Sequence, residues 1–212
     1  MRTPSPLVYL VDDDPSVLRA VKRLLTAGGF DTKAYSDPAL FLAEHNPATP
    51  GCILLDMALP GLSGIDVQSK LAATAHRQPV IFMSGANNVP ATITALKSGA
   101  MDFLLKPFDE TVLLAAVRAA IARDAVSREE EAEVSDIAAR LAGLTPRERA
   151  VFARVIAGRL NKQIAADLQI VEKTVKVHRA RVMKKMGARS LAELVRLAYK
   201  YGLADDEPSP EA

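Results

Sequence analysis

The first 123 residues alternate short, largely apolar runs with amphipathic stretches, and this alternation constrains the fold more than any other feature. The runs have the length of ordinary strands. Between them apolar residues recur at helical spacing, as at Val17, Val21 and Leu24. Apolar strands that alternate with helices are typical of a parallel sheet covered on both faces. The five runs are LVYLV (7–11), FDTKAY (30–35), CILL (52–55), PVIFM (79–83) and MDFLL (101–105).

Polar residues that can carry chemistry follow four of these runs. Because the carboxyl ends of parallel strands meet at one edge of a sheet, we expect these side chains to lie together. The pattern predicts an α/β doubly wound fold with a parallel five-stranded sheet and a functional site at that edge. The residues are Asp12 and Asp13 after the first run, Asp56 after the third, Ser84 after the fourth and Lys106 after the fifth.

Three carboxylates with one lysine suit a hard divalent cation. Mg²⁺ prefers oxygen ligands and keeps several waters, which leaves room for a phosphoryl oxygen. One carboxylate is then a nucleophile toward phosphorus and forms an acyl phosphate. That transfer needs mainly positioning and charge neutralisation. Asp14 has a different role, because an Asp directly before a proline favours the N-cap of a helix that begins at Pro15.

The second part of the chain is basic. Residues 144–202 carry 14 Lys and Arg against 4 Asp and Glu, a net charge of +10, which indicates a polyanionic partner such as nucleic acid. Residues 124–142 are rich in Ala and Glu and contain no Gly or Pro, so we expect a helical linker. Residues 203–212 contain four acids and no Lys or Arg, and we expect a disordered acidic tail.

Helical patterns between Leu144 and Gly202 predict an all-α four-helix domain. The third of them, EKTVKVHRARVMKKM, has a cationic face with small apolar residues at its centre. A short helix and a tight break precede it, so it is predicted to be the second helix of a helix-turn-helix and to enter the DNA major groove. The opposite stripe, Val175, His178, Val182 and Met186, should face the core. The cationic face consists of Lys173, Lys176, Val177, Ala180, Arg181 and Lys184.

Residues 1–123 resemble the receiver domain of response regulators. The matching segments are VDDDP, LLDMALPGLSG, FMSG and DFLLKPF, in order and at family-like spacing. The resemblance implies a flavodoxin-like strand order 2-1-3-4-5 and phosphorylation of Asp56 by a sensor histidine kinase with Mg²⁺. It also implies the metal ligands, which are Asp13 directly, Asp12 through water, Asp56, and the backbone carbonyl of Ala58.

The same resemblance implies a switch at the phosphorylation site. Lys106 pairs with the phosphoryl group and precedes a cis peptide bond to Pro107. Ser84 moves toward the phosphate, and Phe103 turns into the space that Ser84 vacates. Phosphorylation thereby drives a two-state change through a new charge.

Residues 143–202 resemble a helix-turn-helix of the LuxR/NarL type. The matching segments are LTPRER (144–149), NKQIA (161–165), TVKVH (174–178) and KKM (184–186), together with Gly158. Over residues 7–201 the chain is similar to a FixJ-type two-component response regulator. By that resemblance Lys176 and Val177 contact bases. The other predicted DNA-binding residues are Asn161, Lys162, Lys173, Thr174, Arg179, Arg181 and Lys184.

The resemblance implies a transcriptional regulator whose binding to double-stranded promoter DNA follows phosphorylation. The phosphorylated receiver forms a homodimer through helix 89–98 and strand 101–105. Helix 190–201 pairs two DNA-binding domains on a two-fold site, and RNA polymerase is an expected further partner. The predicted division is a receiver over 1–123, a linker over 124–142, the DNA-binding domain over 143–202 and the tail over 203–212.

Two positions depart from the family pattern. Val171 stands where the recognition helix usually has a Ser or Thr cap, which forgoes about 1 kcal/mol of capping. Glu172 recovers part of this through the helix dipole and through an i,i+4 pair with Lys176. The loop at 85–88 reads Gly-Ala-Asn-Asn rather than a Gly-His-Gly-Asp type of stretch, so phosphoryl lifetime and coupling to Ser84 are open.

Two alternatives remain open. The first is a DNA-binding regulator whose receiver acts without phosphorylation as a dimerisation module. The second is a phosphoaspartyl phosphatase, which would place a second acid two residues after its nucleophile, where this chain has Ala58. A GxxxxGK[ST] phosphate loop is also missing, so we expect only self-phosphorylation and self-dephosphorylation at Asp56 rather than enzyme turnover.

Composition indicates the compartment. The chain has one cysteine, Cys52, which suits a reducing environment. It shows no signal-peptide pattern and no apolar run of the roughly 18 to 20 residues that a membrane helix needs. We therefore expect a cytoplasmic protein that does not associate with membranes.

Overall fold

Five parallel strands form one sheet in the order β2-β1-β3-β4-β5, which confirms the predicted fold. The computed structural model describes residues 5–73, 76, 78–85 and 100–202. The predicted dimerisation helix 89–98 and the acidic tail 203–212 lie outside these residues. The strands are β1 (Leu7–Val11), β2 (Asp31–Tyr35), β3 (Gly51–Asp56), β4 (Val80–Gly85) and β5 (Asp102–Lys106).

The sheet is covered on both faces, as the apolar strands require. Alternate residues of β1 serve the two faces, with Val8 and Leu10 in one buried cluster and Tyr9 and Val11 in the other. The first cluster is completed by helices α1 (Pro15–Ala27) and α4 (Glu110–Ala142). The second is completed by α2 (Pro38–Glu44) and α3 (Gly64–Leu71).

Strand pairing brings the polar residues to one edge. Val11 is paired with Leu55, Asp56 with Met83, and Gly85 with Lys106. Asp56, Ser84 and Lys106 are therefore strand residues, whereas the sequence placed each just after a strand. The strands extend to these residues because hydrogen bonds to the neighbouring parallel strand satisfy their backbone N–H and C=O groups.

Local caps follow the sequence closely. Asp14 is the N-cap of α1, and its Oδ1 accepts from the Ser16 backbone N–H at 2.7 Å, which confirms the prediction for the third aspartate. Lys106–Pro107 is a cis peptide bond, also as predicted. The local pairing of short polar side chains with the first turn explains why such caps can be predicted from sequence.

The chain divides into two units between Glu129 and Glu130. Four helices of the second unit surround a core that includes Phe152, Ile164, Val175 and Val182, to which α4 adds Ile137. This confirms the predicted helical domain. The helices are α5 (Pro146–Ile156), α6 (Asn161–Asp167), α7 (Glu172–Met186) and α8 (Leu191–Lys200).

The first unit extends beyond the predicted receiver boundary at 123. Asp124 is buried, and its Oδ2 accepts from the Gly51 backbone N–H at 2.8 Å and from Arg128 Nε at 2.7 Å. Arg128 also donates to the carbonyl oxygens of Pro47, Ala48 and Thr49. The first turns of the predicted linker are thus fixed to the sheet domain, while residues 129–136 are exposed on every side.

Among the described residues, no helix combines the length and the apolarity that crossing a membrane requires.

Candidate functional site

One lysine bridges two carboxylates at the edge of the sheet. Lys106 Nζ lies 2.6 Å from Asp12 Oδ2 and 2.6 Å from Asp56 Oδ1. The other oxygen of each acid is held by the backbone, since Asp12 Oδ1 accepts from the Asp14 N–H at 3.0 Å and Asp56 Oδ2 from the Ala58 N–H at 2.6 Å. Residues from three strand ends, at most 94 positions apart in the sequence, therefore form one hydrogen-bonded polar site.

The site is buried enough to shift the pKa values of Asp12 and Lys106. Asp12 is 1% exposed and Asp56 5%. Burial raises the pKa of Asp12, and the nearby Asp56 charge adds to this, although hydrogen bonds from Lys106 and the Asp14 N–H act against it. Burial alone would lower the pKa of Lys106, but its hydrogen bonds with the two acids raise it overall. Lys106 therefore stays cationic. Its single positive charge neutralises only one of the two carboxylates.

The remaining predicted metal ligands are arranged more loosely. Asp13 is exposed, and Ala58 follows Asp56 on the loop after β3. Within the part of the chain that the structure describes, no three His, Cys, Asp or Glu side chains lie together as a ready metal site. The donor chemistry nevertheless fits a hard cation, because two buried carboxylates share one positive charge and leave negative charge in excess.

The predicted switch residues lie on β4 and β5. Ser84 is buried at the end of β4, and its hydroxyl donates to the Gly85 carbonyl at 3.3 Å. Phe103 is half-buried in β5, opposite Phe82, and packs against the second core cluster. The Phe103 side chain therefore contacts the apolar core and is also partly exposed to solvent. Residues 86–88 of the unusual loop lie outside the described residues.

The second unit presents the predicted cationic face to solvent. Lys173, Lys176, Arg181 and Lys184 of α7 are exposed, and so is Val177. The opposite stripe is buried at Val175, Val182 and Met186, as predicted, while His178 is half-buried. Amphipathic spacing alone therefore oriented this helix correctly.

Two side-chain pairs modify this face. Lys176 Nζ lies 3.5 Å from Glu172 Oε1, the i,i+4 pair expected from the sequence. Arg179 Nη1 donates to Asn161 Oδ1 at 3.0 Å, which joins α7 to the start of α6. Sequence reasoning predicted both Arg179 and Asn161 as DNA-binding residues but missed their mutual bond. Residues 18 positions apart on different helices leave no periodic signal.

The two other predicted DNA-binding residues differ in exposure. Lys162 is exposed and Thr174 is half-buried.

Two family models match the chain. Residues 8–118 match the model described as "Response regulator receiver domain", and residues 142–198 match "Bacterial regulatory proteins, luxR family". The chain belongs to the response regulators. The receiver model covers the sheet edge with Asp12, Asp56 and Lys106, and the luxR-family model covers the cationic helix. This response regulator is therefore a two-component transcriptional regulator with a LuxR-type DNA-binding domain.

Several relatives match this chain over both of its units. The regulator is 42% identical to the transcriptional regulatory protein FixJ of Azorhizobium caulinodans over 204 residues, which is 96% of this chain and 97% of FixJ. It is 42% identical to nodulation protein W of Bradyrhizobium diazoefficiens over 93% of this chain and 87% of that protein. The solved structure of the response regulator StyR matches with a TM-score of 0.85 and 40% identity, covering 93% of this chain and all of StyR.

Proposed function

We propose that this response regulator is switched by phosphorylation of Asp56 by a sensor histidine kinase. The observation that carries the proposal is the bridge of Lys106 between Asp12 and Asp56, at 2.6 Å to each. An Asp56 carboxylate oxygen attacks the phosphorus of the phosphohistidine, the P–N bond breaks, and an acyl phosphate forms. Lys106 is already placed to neutralise charge that develops on the transferred group.

Mg²⁺ belongs to the same proposal. Asp12, Asp13, Asp56 and the Ala58 carbonyl would hold it, and when bound it would neutralise phosphoryl oxygens. The excess negative charge around Lys106 supports this assignment. Burial raises the pKa of the Asp12 carboxyl, and a nearby cation would favour its ionised form.

The proposed output is DNA binding by a dimer. Ser84 and Phe103 respond to the phosphoryl group, and receivers pair through helix 89–98 and strand 101–105. Helix 190–201 then pairs two DNA-binding domains on promoter DNA, where the regulator acts with RNA polymerase.

Lys176 and Val177 are the proposed base contacts on α7. Lysine reaches guanine edges, and a valine methyl meets the methyl group of thymine. Exposed cations along the same helix bind phosphates and fix the register. The proposed DNA contacts are Lys173, Thr174, Lys176, Val177, Arg179, Arg181 and Lys184 of α7, with Asn161 and Lys162 of α6.

Phosphorylation is tested with Asp56→Asn protein, a small radiolabelled phosphodonor and Mg²⁺. The wild-type chain should take up label, and the variant should take up none, because an amide is not a nucleophile toward phosphorus. Asp31→Asn is a matched control, since Asp31 is an exposed acid at the start of β2, away from the site, and it should label like wild type. Labelling of the Asp56→Asn protein would overturn the assignment.

A further inference from the structure

The bond between Arg179 and Asn161 links the two helices of the helix-turn-helix. Arg179 Nη1 donates to Asn161 Oδ1 at 3.0 Å. Asn161 is the first residue of α6, and Arg179 lies in the middle of α7. Both side chains are half-buried, in contrast to Arg181, which is exposed on the cationic face. Arg179 thus donates to the other helix of the helix-turn-helix, whereas Lys176 pairs with Glu172 of its own helix and Lys185 with Glu148.

The chemistry of the pair fixes the orientation of the amide. A guanidinium group has donors only, so it can meet the Asn161 side chain only at the amide oxygen. With Oδ1 occupied by Arg179, the Nδ2 group is directed to other partners, and it has two N–H donors. The amide would otherwise be free to turn over and present its oxygen instead.

We propose that Arg179 is a positioning residue that acts on DNA through Asn161, whose Nδ2 donates to a phosphate oxygen. The inference rests on the proposed DNA-binding function and refines it, because Arg179 was expected to be a contact of the same kind as Arg181. A side-chain amide is among the groups that donate to DNA phosphates. A phosphate oxygen would repel Oδ1 and attract the N–H donors, so the orientation set by Arg179 favours binding.

Salt dependence separates a positioning role from direct contact. A cation that neutralises a phosphate releases a counterion and contributes about 0.9 to the slope of log affinity against log salt concentration. Asn161 is neutral and releases none. Removing Arg179 should therefore weaken DNA binding at every salt concentration while leaving the slope close to that of wild type.

The experiment is a double-mutant cycle on the full-length chain. With Mg²⁺ and beryllofluoride, a phosphoryl mimic, present throughout, a duplex enriched from a randomised pool by the wild-type protein is titrated by fluorescence anisotropy at several salt concentrations. Arg179→Met and Asn161→Ala should each weaken binding about fivefold, the worth of one net hydrogen bond, and the double variant should be no weaker than either. Arg179→Gln, which restores a donor without charge, should recover part of the loss.

Arg181→Met is the matched control. It should multiply with Asn161→Ala and lower the salt slope by about 0.9. The same result for Arg179→Met, or for Arg179→Gln if the methionine variant does not fold, would overturn the positioning role. A wild-type chain that binds no duplex would overturn the proposed DNA-binding function itself, whereas wild-type binding with multiplicative losses at Arg179 and Asn161 overturns this inference alone.

Discussion

At the scale of single residues, the central feature of the regulator is one lysine that forms ion pairs with two aspartates. Lys106 balances only one of the two charges of Asp12 and Asp56. Conversion of the Asp56 carboxylate to an acyl phosphate adds negative charge to a site that already has more negative than positive charge. The phosphorylated state is therefore expected to depend on Lys106 and on Mg²⁺ together.

Val171 occupies a helix N-cap position at which its side chain cannot stabilise the helix. It is the N-cap of α7 with extended backbone angles, 68% exposed, and its side chain makes no capping hydrogen bond. Val171→Ser supplies a hydroxyl that accepts from an N–H of the first turn, so we expect stability to rise by about 1 kcal/mol. Chemical denaturation of the second unit, followed by its helical signal, measures the change.

The control for this prediction is Val177→Ser, an equal change on the exposed face of the same helix. It offers no cap, and serine and valine have similar helix propensities, so its stability should stay near that of wild type. Equal stability of the Val171→Ser and wild-type proteins would show that the valine costs α7 nothing.

At the scale of elements, the sequence predicted what local rules determine. The apolar runs located all five strands, and their residue types gave the parallel sheet. Strand ends were less accurate, because the ladder that extends β4 to Gly85 depends on its partner β5. Ser190 and Glu193 have the spacing of a capping box at the start of α8, but only half of the box forms. Ser190 caps α8 through the Glu193 N–H, but the Glu193 carboxylate accepts from the Arg189 N–H.

Contacts between distant segments could not be predicted in the same way. The expected linker begins with Asp124, whose buried carboxylate meets Gly51 and Arg128. Composition showed only an Ala- and Glu-rich helix there, and nothing in helical periodicity reveals which acid is buried. The gathering of Asp12, Asp56 and Lys106 was predictable because one topological rule, the common edge of parallel strands, applies to all three.

Glu148 is expected to make the second unit sensitive to acid. Its carboxylate is 2.6 Å from Lys185 Nζ and accepts from the Thr145 N–H at 2.9 Å, and these two partners lower its pKa to about 2. A lowered pKa stabilises the fold above the ordinary value, 4.5, and the stabilisation is lost as the pH falls toward 2. Glu148→Gln should therefore lower the melting temperature at pH 7.

Calorimetry of the full chain between pH 2 and 7 measures this effect. The difference in melting temperature between wild type and Glu148→Gln should be largest above pH 4.5 and should shrink toward zero near pH 2. Glu172→Gln is the control, since that exposed acid contributes only the helix-dipole interaction and the longer, solvated pair with Lys176, so its pH dependence should be much weaker. A Glu148 difference that stayed constant across this range would exclude the carboxylate charge as its cause.

At the scale of the whole molecule, opposite charges are assigned to different units. The first unit holds the acidic site around Lys106, and the second holds the net charge of +10 over residues 144–202. Helix α4, Glu110–Ala142, is continuous across the division between them. Because the proposed signal begins in one unit and DNA binds the other, regulation requires that phosphorylation change the association of the chain or the availability of its basic face.

Beryllofluoride, which mimics a phosphoryl group on aspartate, tests this coupling in the intact chain. With Mg²⁺ it should convert a 22.7 kDa monomer to twice that mass in light scattering and tighten DNA binding by about tenfold or more, within the usual range of coupling between sites. Asp56→Asn protein should show neither change. If beryllofluoride changed neither the mass nor the DNA affinity of the wild-type chain while DNA binding persisted, the receiver would act as an unphosphorylated dimerisation module, the alternative that the unusual 85–88 loop leaves open.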